Sequence, residues 1–179
     1  EYLSVLYSHP KWLVDEFWRA LGPEETAALL EADNSRPPIT AMVNTVKTDT
    51  AALCRRIEEA GVSAAPHSWL SNCLELSGTG NLEELSAFQD GLFYIQDPAS
   101  RLAVLASGVK PGMKVLDCCA APGGKSFAAA IQMENTGELI SCDLHPHKKT
   151  LIQKGAQRLG LTCVTAMTAD ATVFRPEWE

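Results

Sequence analysis

Three aspartates stand 26 and 27 residues apart in the second half of this chain: Asp117, Asp143 and Asp170. Each closes an apolar stretch that reads as a strand, and each interval is one strand–helix repeat long. In a parallel sheet, strand ends spaced this way emerge on one C-terminal edge, where open α/β sheets bind ligands. A carboxylate after the second strand is placed to accept hydrogen bonds from ribose hydroxyls. One after the third can receive an adenine amino group. The three acids in register therefore indicate an adenosine site. Asp117, nearest the following turn, can instead hold that turn's backbone.

The turn itself is Cys118-Cys119-Ala120-Ala121-Pro122-Gly123-Gly124-Lys125-Ser126. Residues this small let a backbone lie close to a ligand at a helix N-terminus. Gly123 to Ser126 nearly completes a phosphate loop, G-x-x-x-x-G-K-[ST]. That pattern needs glycine at position 119, occupied here by Cys119. Pro122 also removes a backbone N–H from the cradle. The dinucleotide pattern G-x-G-x-x-G is absent too. A phosphate-free adenosine ligand such as S-adenosyl-L-methionine fits the turn better.

The elements that must position these residues follow from apolar periodicity. Strands are expected over 115–117, 138–143 and 162–167, with helices over 125–133 and 147–159. Such alternation indicates a parallel sheet with helical crossovers. Ahead of it, Asp97 and Pro98 open a helix that runs to Ser107. The first part reads differently. One helix opens at Pro10 and ends before Gly22, and a second covers 24–31. Trp12 and Trp18 on the first helix are expected in the core. Strands are expected over 39–46, 73–76 and 92–95, a helix through Ala60 capped by Thr48 or Asp49, a short helix over 81–88, and irregular chain over 62–70. No pair of residues in this first part suggests catalysis.

Charge gives no support for a nucleic-acid partner. Residues 1–90 carry 6 basic and 14 acidic side chains, and 91–179 carry 9 and 8, with no basic stripe. No apolar run approaches the roughly 18 residues of a membrane span, and no signal peptide opens the chain. The six cysteines form no Cys-x-x-Cys pair, so no metal ribbon is indicated, and unpaired thiols suit the cytoplasm.

The stretch from Val115 to Ser126 resembles the cofactor-binding motif of the RNA 5-methylcytosine methyltransferases. It is most similar to the B branch of that family, which acts on bacterial 16S ribosomal RNA. The agreement extends over nearly the whole chain: Tyr7 to Val14, Arg36 to Thr40 with Val43-Asn44-Thr45, Gln96 to Ser100, Asp143 to Lys148 and Arg158 to Leu161. Two positions depart from the family pattern. Met42 stands where an arginine is usual, and Gly155 replaces a usual asparagine.

The resemblance implies an N-terminal α+β RNA-binding module with a linker helix over 1–107. The first half of a Rossmann-like class I methyltransferase sheet would follow over 108–179. It implies that Cys119, Ala120, Ala121, Pro122, Gly123, Gly124 and Lys125 wrap the methionine end of S-adenosyl-L-methionine. Asp143 would take the ribose and Asp170 the adenine side. Methylating cytosine C5 requires a thiolate to add at C6. The family's nucleophilic cysteine lies beyond the motifs present here, so the chain is expected to be a catalytically silent fragment. Its sheet is expected to have an unpaired edge prone to self-association. The alternatives are a non-catalytic RNA- or adenosine-binding module and a phosphate-loop nucleotidase.

Overall fold

The computed structural model describes residues 1–178. They form two compact units, Glu1–Pro37 and a larger one that begins at Pro38.

The first unit is three helices: α1 (Tyr2–Leu6), α2 (Lys11–Leu21) and α3 (Pro23–Asp33). Gly22 links the last two at φ +82°, a conformation that favours glycine. Pro23 then occupies a helical start where its missing N–H costs nothing. The Ser4 hydroxyl donates to the His9 carbonyl at 2.6 Å, and the Asn34 amide donates to the Tyr7 carbonyl at 2.9 Å. Trp12 and Trp18 are not core residues, contrary to the periodicity argument. They are 67% and 49% exposed. The reason is size: only Val14, Thr26 and Leu30 are buried in these helices. So few buried positions cannot enclose two indoles.

The second unit holds two sheets. The antiparallel sheet has the order β2-β3-β1-β4, from β1 (Ile39–Val43), β2 (Ser63–Pro66), β3 (Cys73–Ser77) and β4 (Phe93–Ile95). Helix α4 (Thr50–Glu59) covers one face, and Asp49 caps it by accepting the Ala52 N–H at 2.8 Å. Side chains on β1 alternate between two apolar clusters. Ala41 and Val43 pack with Leu53 and Ile57, whereas Met42 packs with Tyr94, Phe127 and Ile131. The short helix α5 (Ser86–Gln89) precedes β4.

Strand β2 corrects the expectation of irregular chain over 62–70. Ser63-Ala64-Ala65-Pro66 carries little intrinsic strand preference. It forms because Ala64 pairs opposite Leu76 at the sheet's edge, the one place a strand tolerates proline.

Helix α6 (Pro98–Ser107), capped by Asp97, leads into the parallel sheet. Its order is β5-β6-β7, from β5 (Lys114–Asp117), β6 (Glu138–Asp143) and β7 (Val164–Thr168). Helices α7 (Gly124–Gln132) and α8 (Pro146–Leu159) make the crossovers. Every residue of α7 from Ser126 to Ile131 is buried. The architecture is therefore mixed α/β, as expected, with β6 in the middle of the parallel sheet.

The two sheets are joined through polar contacts that the sequence patterns do not reveal. The buried Asn44 amide donates to the carbonyls of Gly91 (2.9 Å) and Leu159 (2.8 Å). Lys47 Nζ donates to the Asp90 and Arg158 carbonyls at 2.9 and 3.0 Å. Arg158 Nη1 donates to the Phe88 and Phe93 carbonyls at 2.6 and 3.0 Å, and its guanidinium lies 3.8 Å from the Phe88 ring centre.

Candidate cofactor-binding site

The turn between β5 and α7 is built from its carboxylates inward. Asp117 Oδ1 accepts the Cys119 N–H at 3.2 Å, and Oδ2 accepts the Ser126 hydroxyl at 2.7 Å. Ser141 Oγ lies 2.8 Å from Ser126 Oγ and continues this network into β6. Asp117 thus closes the turn on itself, the second of the two roles its position allowed. The Ala120 N–H reaches across to the Cys142 carbonyl at 2.9 Å.

Asp143 ties this turn to the next strand end. Its Oδ2 accepts the Ala121 N–H and its Oδ1 accepts the His145 N–H, both at 3.3 Å. Lys148 Nζ lies 3.6 Å from Oδ1. The residue is only 8% exposed. Desolvation pushes the carboxyl pKa up, but the His145 and Ala121 N–H groups and the Lys148 ammonium outweigh it. The net result is a pKa below the ordinary value of 3.8. Hydrogen bonds to the charged form have this effect.

Asp170 lies at the same edge, beyond β7. It turns back on its own loop and accepts the Thr172 hydroxyl at 2.7 Å and the Thr172 N–H at 2.9 Å. Those two bonds hold its pKa down. The Ala169 N–H donates to the Asp143 carbonyl at 3.0 Å. Parallel register sets Asp117 beside Ser141 and Asp143 beside Thr168, so the acids share one edge in a staggered row.

Around them the surface divides into a floor and a rim. Ala120 and Gly123 are buried, Ala121 and Gly124 half-buried, and Cys119, Pro122 and Lys125 exposed. Leu144, His145 and His147 are exposed on the far side of Asp143. The two imidazoles stack with ring centres 5.6 Å apart. The floor is cut to fit small residues. A Cβ on Gly123 would lie 2.2 Å from the Phe127 ring, and one on Gly124 would lie 3.2 Å from Gln96 Nε2. Gln96 stands beside the turn, just after the last residue of β4. Sequence reasoning assigned it no role, and only its place in the Gln96–Ser100 motif marked it.

Four of the six thiols have pKa values above the ordinary range. Burial pushes Cys73 up to about 11 and raises Cys54, Cys142 and Cys163 as well. Cys119 is exposed and Cys118 half-buried, both in the turn. Among the described residues no group of three or more His, Cys, Asp or Glu side chains could hold a metal ion.

A parallel strand–turn–helix sheet with a glycine-rich turn and a row of strand-end acids is the architecture of the nucleotide-binding α/β class. Comparison with known proteins narrows the class. Residues 9–83 match the ferredoxin-like domain of RsmF/B-like methyltransferases, and residues 104–178 match the 16S rRNA methyltransferase RsmB/F model. The chain is 39% identical over 169 residues to the probable ribosomal RNA small subunit methyltransferase B of Bacillus subtilis, covering 94% of this chain and 38% of that protein. It is 30% identical over 173 residues to the Vibrio cholerae ribosomal RNA small subunit methyltransferase B, covering 97% and 39%. The crystal structure of PH0851 superposes with a TM-score of 0.89 at 30% identity, over 94% of this chain and 38% of that one. A methyltransferase homolog from Pyrococcus horikoshii gives 0.82 at 26% identity, over 92% and 54%. The chain belongs to the RsmB/F methyltransferase family. It spans less than two fifths of the length of the Bacillus relative.

Proposed function

We propose that this chain carries the RNA-side module and the cofactor-holding half-sheet of an S-adenosyl-L-methionine-dependent methyltransferase that modifies cytosine C5 in 16S ribosomal RNA. The observation that carries the reading is the position of Asp143. A depressed, mostly buried carboxylate at the end of β6 is hydrogen-bonded to the glycine-rich turn at Ala121. This is where an adenosine ligand's ribose hydroxyls require an acceptor. The names of the Bacillus and Vibrio relatives, ribosomal RNA small subunit methyltransferase B, supply the substrate class.

In this reading residues 119–125 line the methionine end of the ligand, Asp143 holds the ribose and Asp170 serves the adenine side. The bound cofactor would supply an electrophilic methyl group. Residues 1–107 form the RNA-facing part with its linker helix, and 108–179 belong to the methyltransferase sheet. We place the protein in the cytoplasm, in keeping with six free thiols. No helix among the described residues is long and apolar enough to cross a membrane. The outer edge of β5 has no partner strand among the described residues, and we propose it as a surface for self-association. Sedimentation as a monodisperse monomer at high concentration would remove that last proposal.

The test is ligand choice. S-adenosylhomocysteine should bind without metal and resist competition by ATP. Binding of ATP that requires magnesium, with no response to S-adenosylhomocysteine, would replace this reading with a nucleotidase.

A further inference from the structure

Two sets of hydrogen-bond donors face each other beside the turn, with no protein acceptor between them. The first set is the opening turn of α7. No side chain caps that helix, and the first N–H groups of any helix have no intrahelical acceptor. The second is Gln96 Nε2, which is buried and has no hydrogen-bond partner among the described residues. Gln96 is only 7% exposed, and its amide nitrogen comes within 3.2 Å of the Cβ position of Gly124, the first residue of α7.

The orientation of the amide is held from behind. The Tyr94 hydroxyl lies 3.3 Å from Gln96 Oε1 and donates to it. Burial pushes the Tyr94 phenol pKa up, so the proton stays in place at neutral pH. The Gln96 backbone is fixed as well. Its N–H donates to the Thr40 carbonyl at 3.3 Å, and its carbonyl accepts the Thr40 hydroxyl at 2.6 Å. An orphaned buried donor is unfavourable in a folded protein. Pointed at a helix N-terminus, it also opposes the positive end of the helix dipole. Both penalties vanish if an anion lies between them.

We propose that Gln96 Nε2 and the first turn of α7 form a carboxylate subsite that recognises the amino-acid end of the adenosine ligand. The inference rests on the adenosine-ligand reading above. A carboxylate suits the donors better than a phosphate. Its two oxygens match one side-chain amide and one or two backbone N–H groups, and Pro122 removes a donor that a phosphate cradle would use. The exposed ammonium of Lys125 adds positive charge at the rim. Gln96 Nε2 has no free surface of its own, so the carboxylate enters between Gly124 and the amide as the turn opens. Gln96 follows β4, so the antiparallel sheet supplies part of the ligand site of the parallel one.

The experiment compares two ligands that differ at the amino-acid end. S-adenosylhomocysteine carries the α-carboxylate; 5′-methylthioadenosine keeps the adenosine and thioether and lacks it. In calorimetric titrations, Gln96→Leu should weaken S-adenosylhomocysteine roughly tenfold to a hundredfold, the range of a hydrogen bond to a charged group. It should leave 5′-methylthioadenosine within about twofold. Gln96→Glu keeps the shape and the Tyr94 contact but presents a negative oxygen, and should weaken S-adenosylhomocysteine at least as much. If Gln96→Leu does not fold, Gln96→Glu and the wild-type protein suffice. The wild-type Gln96 side-chain amide resonances should shift with S-adenosylhomocysteine and not with 5′-methylthioadenosine.

Equal loss of both ligands would overturn the proposal and make Gln96 a packing residue. Unchanged affinity with a higher melting temperature in Gln96→Glu would overturn it in favour of a helix cap. Failure of the wild-type chain to bind either ligand would instead reject the adenosine reading, and this inference with it.

Discussion

The Phe127 ring fills the space that a side chain on Gly155 would need. A Cβ on Gly155 would lie 2.4 Å from the ring's Cζ. Helix interiors disfavour glycine by about 1 kcal/mol relative to alanine, so this glycine is explained by close approach. The asparagine usual in the family at this position cannot coexist with Phe127 as placed. Gly155→Asn should destabilise the chain by about 1–3 kcal/mol through overpacking. Combining it with Phe127→Leu should recover part of the loss. Urea unfolding of the two single variants and the double variant measures the coupling, and strict additivity would contradict the packing account.

Acid should act on the site through Asp143. Its folded-state pKa lies below the ordinary 3.8, so its contribution is fully present above that value. The contribution is lost as pH falls through the lower, folded pKa. Asp170, held down by Thr172, loses its contribution in the same direction. Stability should therefore be flat in this respect at neutral pH and decline below about pH 4. Asp143→Asn should remove part of that decline, which melting curves recorded from pH 7 to pH 3 would reveal.

Much of this was legible in the sequence because it lies in local patterns. The 26- and 27-residue spacing of Asp117, Asp143 and Asp170 placed all three at one sheet edge. Gly123–Ser126 marked the turn. What escaped depends on contacts between distant segments. Ala64 and Ala65 have no strand signal of their own and are ordered by pairing with Leu76 and Glu75. Gln96 gains interest only from the Gly124 position across from it. Trp12 and Trp18 follow a burial period, but too little structure surrounds them for burial. The carboxylate of Asp117 could be assigned only once its partners, the Cys119 N–H and the Ser126 hydroxyl, were seen.

Arg158 should matter to the union of the two sheets more than to either alone. Its Nη1 serves two carbonyls of the antiparallel-sheet segment, and its guanidinium packs on Phe88. Arg158→Ala should cost about 2–4 kcal/mol, counting the abandoned carbonyls and the lost cation–π contact. Amide exchange should then show the two sheets losing protection at different denaturant concentrations. A single unchanged transition would refute the joining role.

Thiol labelling offers a map of the turn. Cys119 is exposed, whereas Cys73 and Cys142 are buried with raised pKa values. A thiol reagent acting on the native chain should modify Cys119 first and leave Cys73 and Cys142 until unfolding. S-adenosylhomocysteine should slow labelling of Cys119 at least severalfold. Labelling at the same rate with saturating ligand would place the ligand elsewhere.

The most direct measurement is a calorimetric titration of the chain with S-adenosyl-L-methionine beside Asp143→Ala and Asp143→Asn. The account predicts saturable binding without metal. The alanine variant should lose it by tenfold or more, and the asparagine variant by less, since an amide oxygen can still accept one hydrogen bond. Wild-type affinity in a folded Asp143→Ala variant would contradict the central claim that this strand-end carboxylate holds the ligand's ribose.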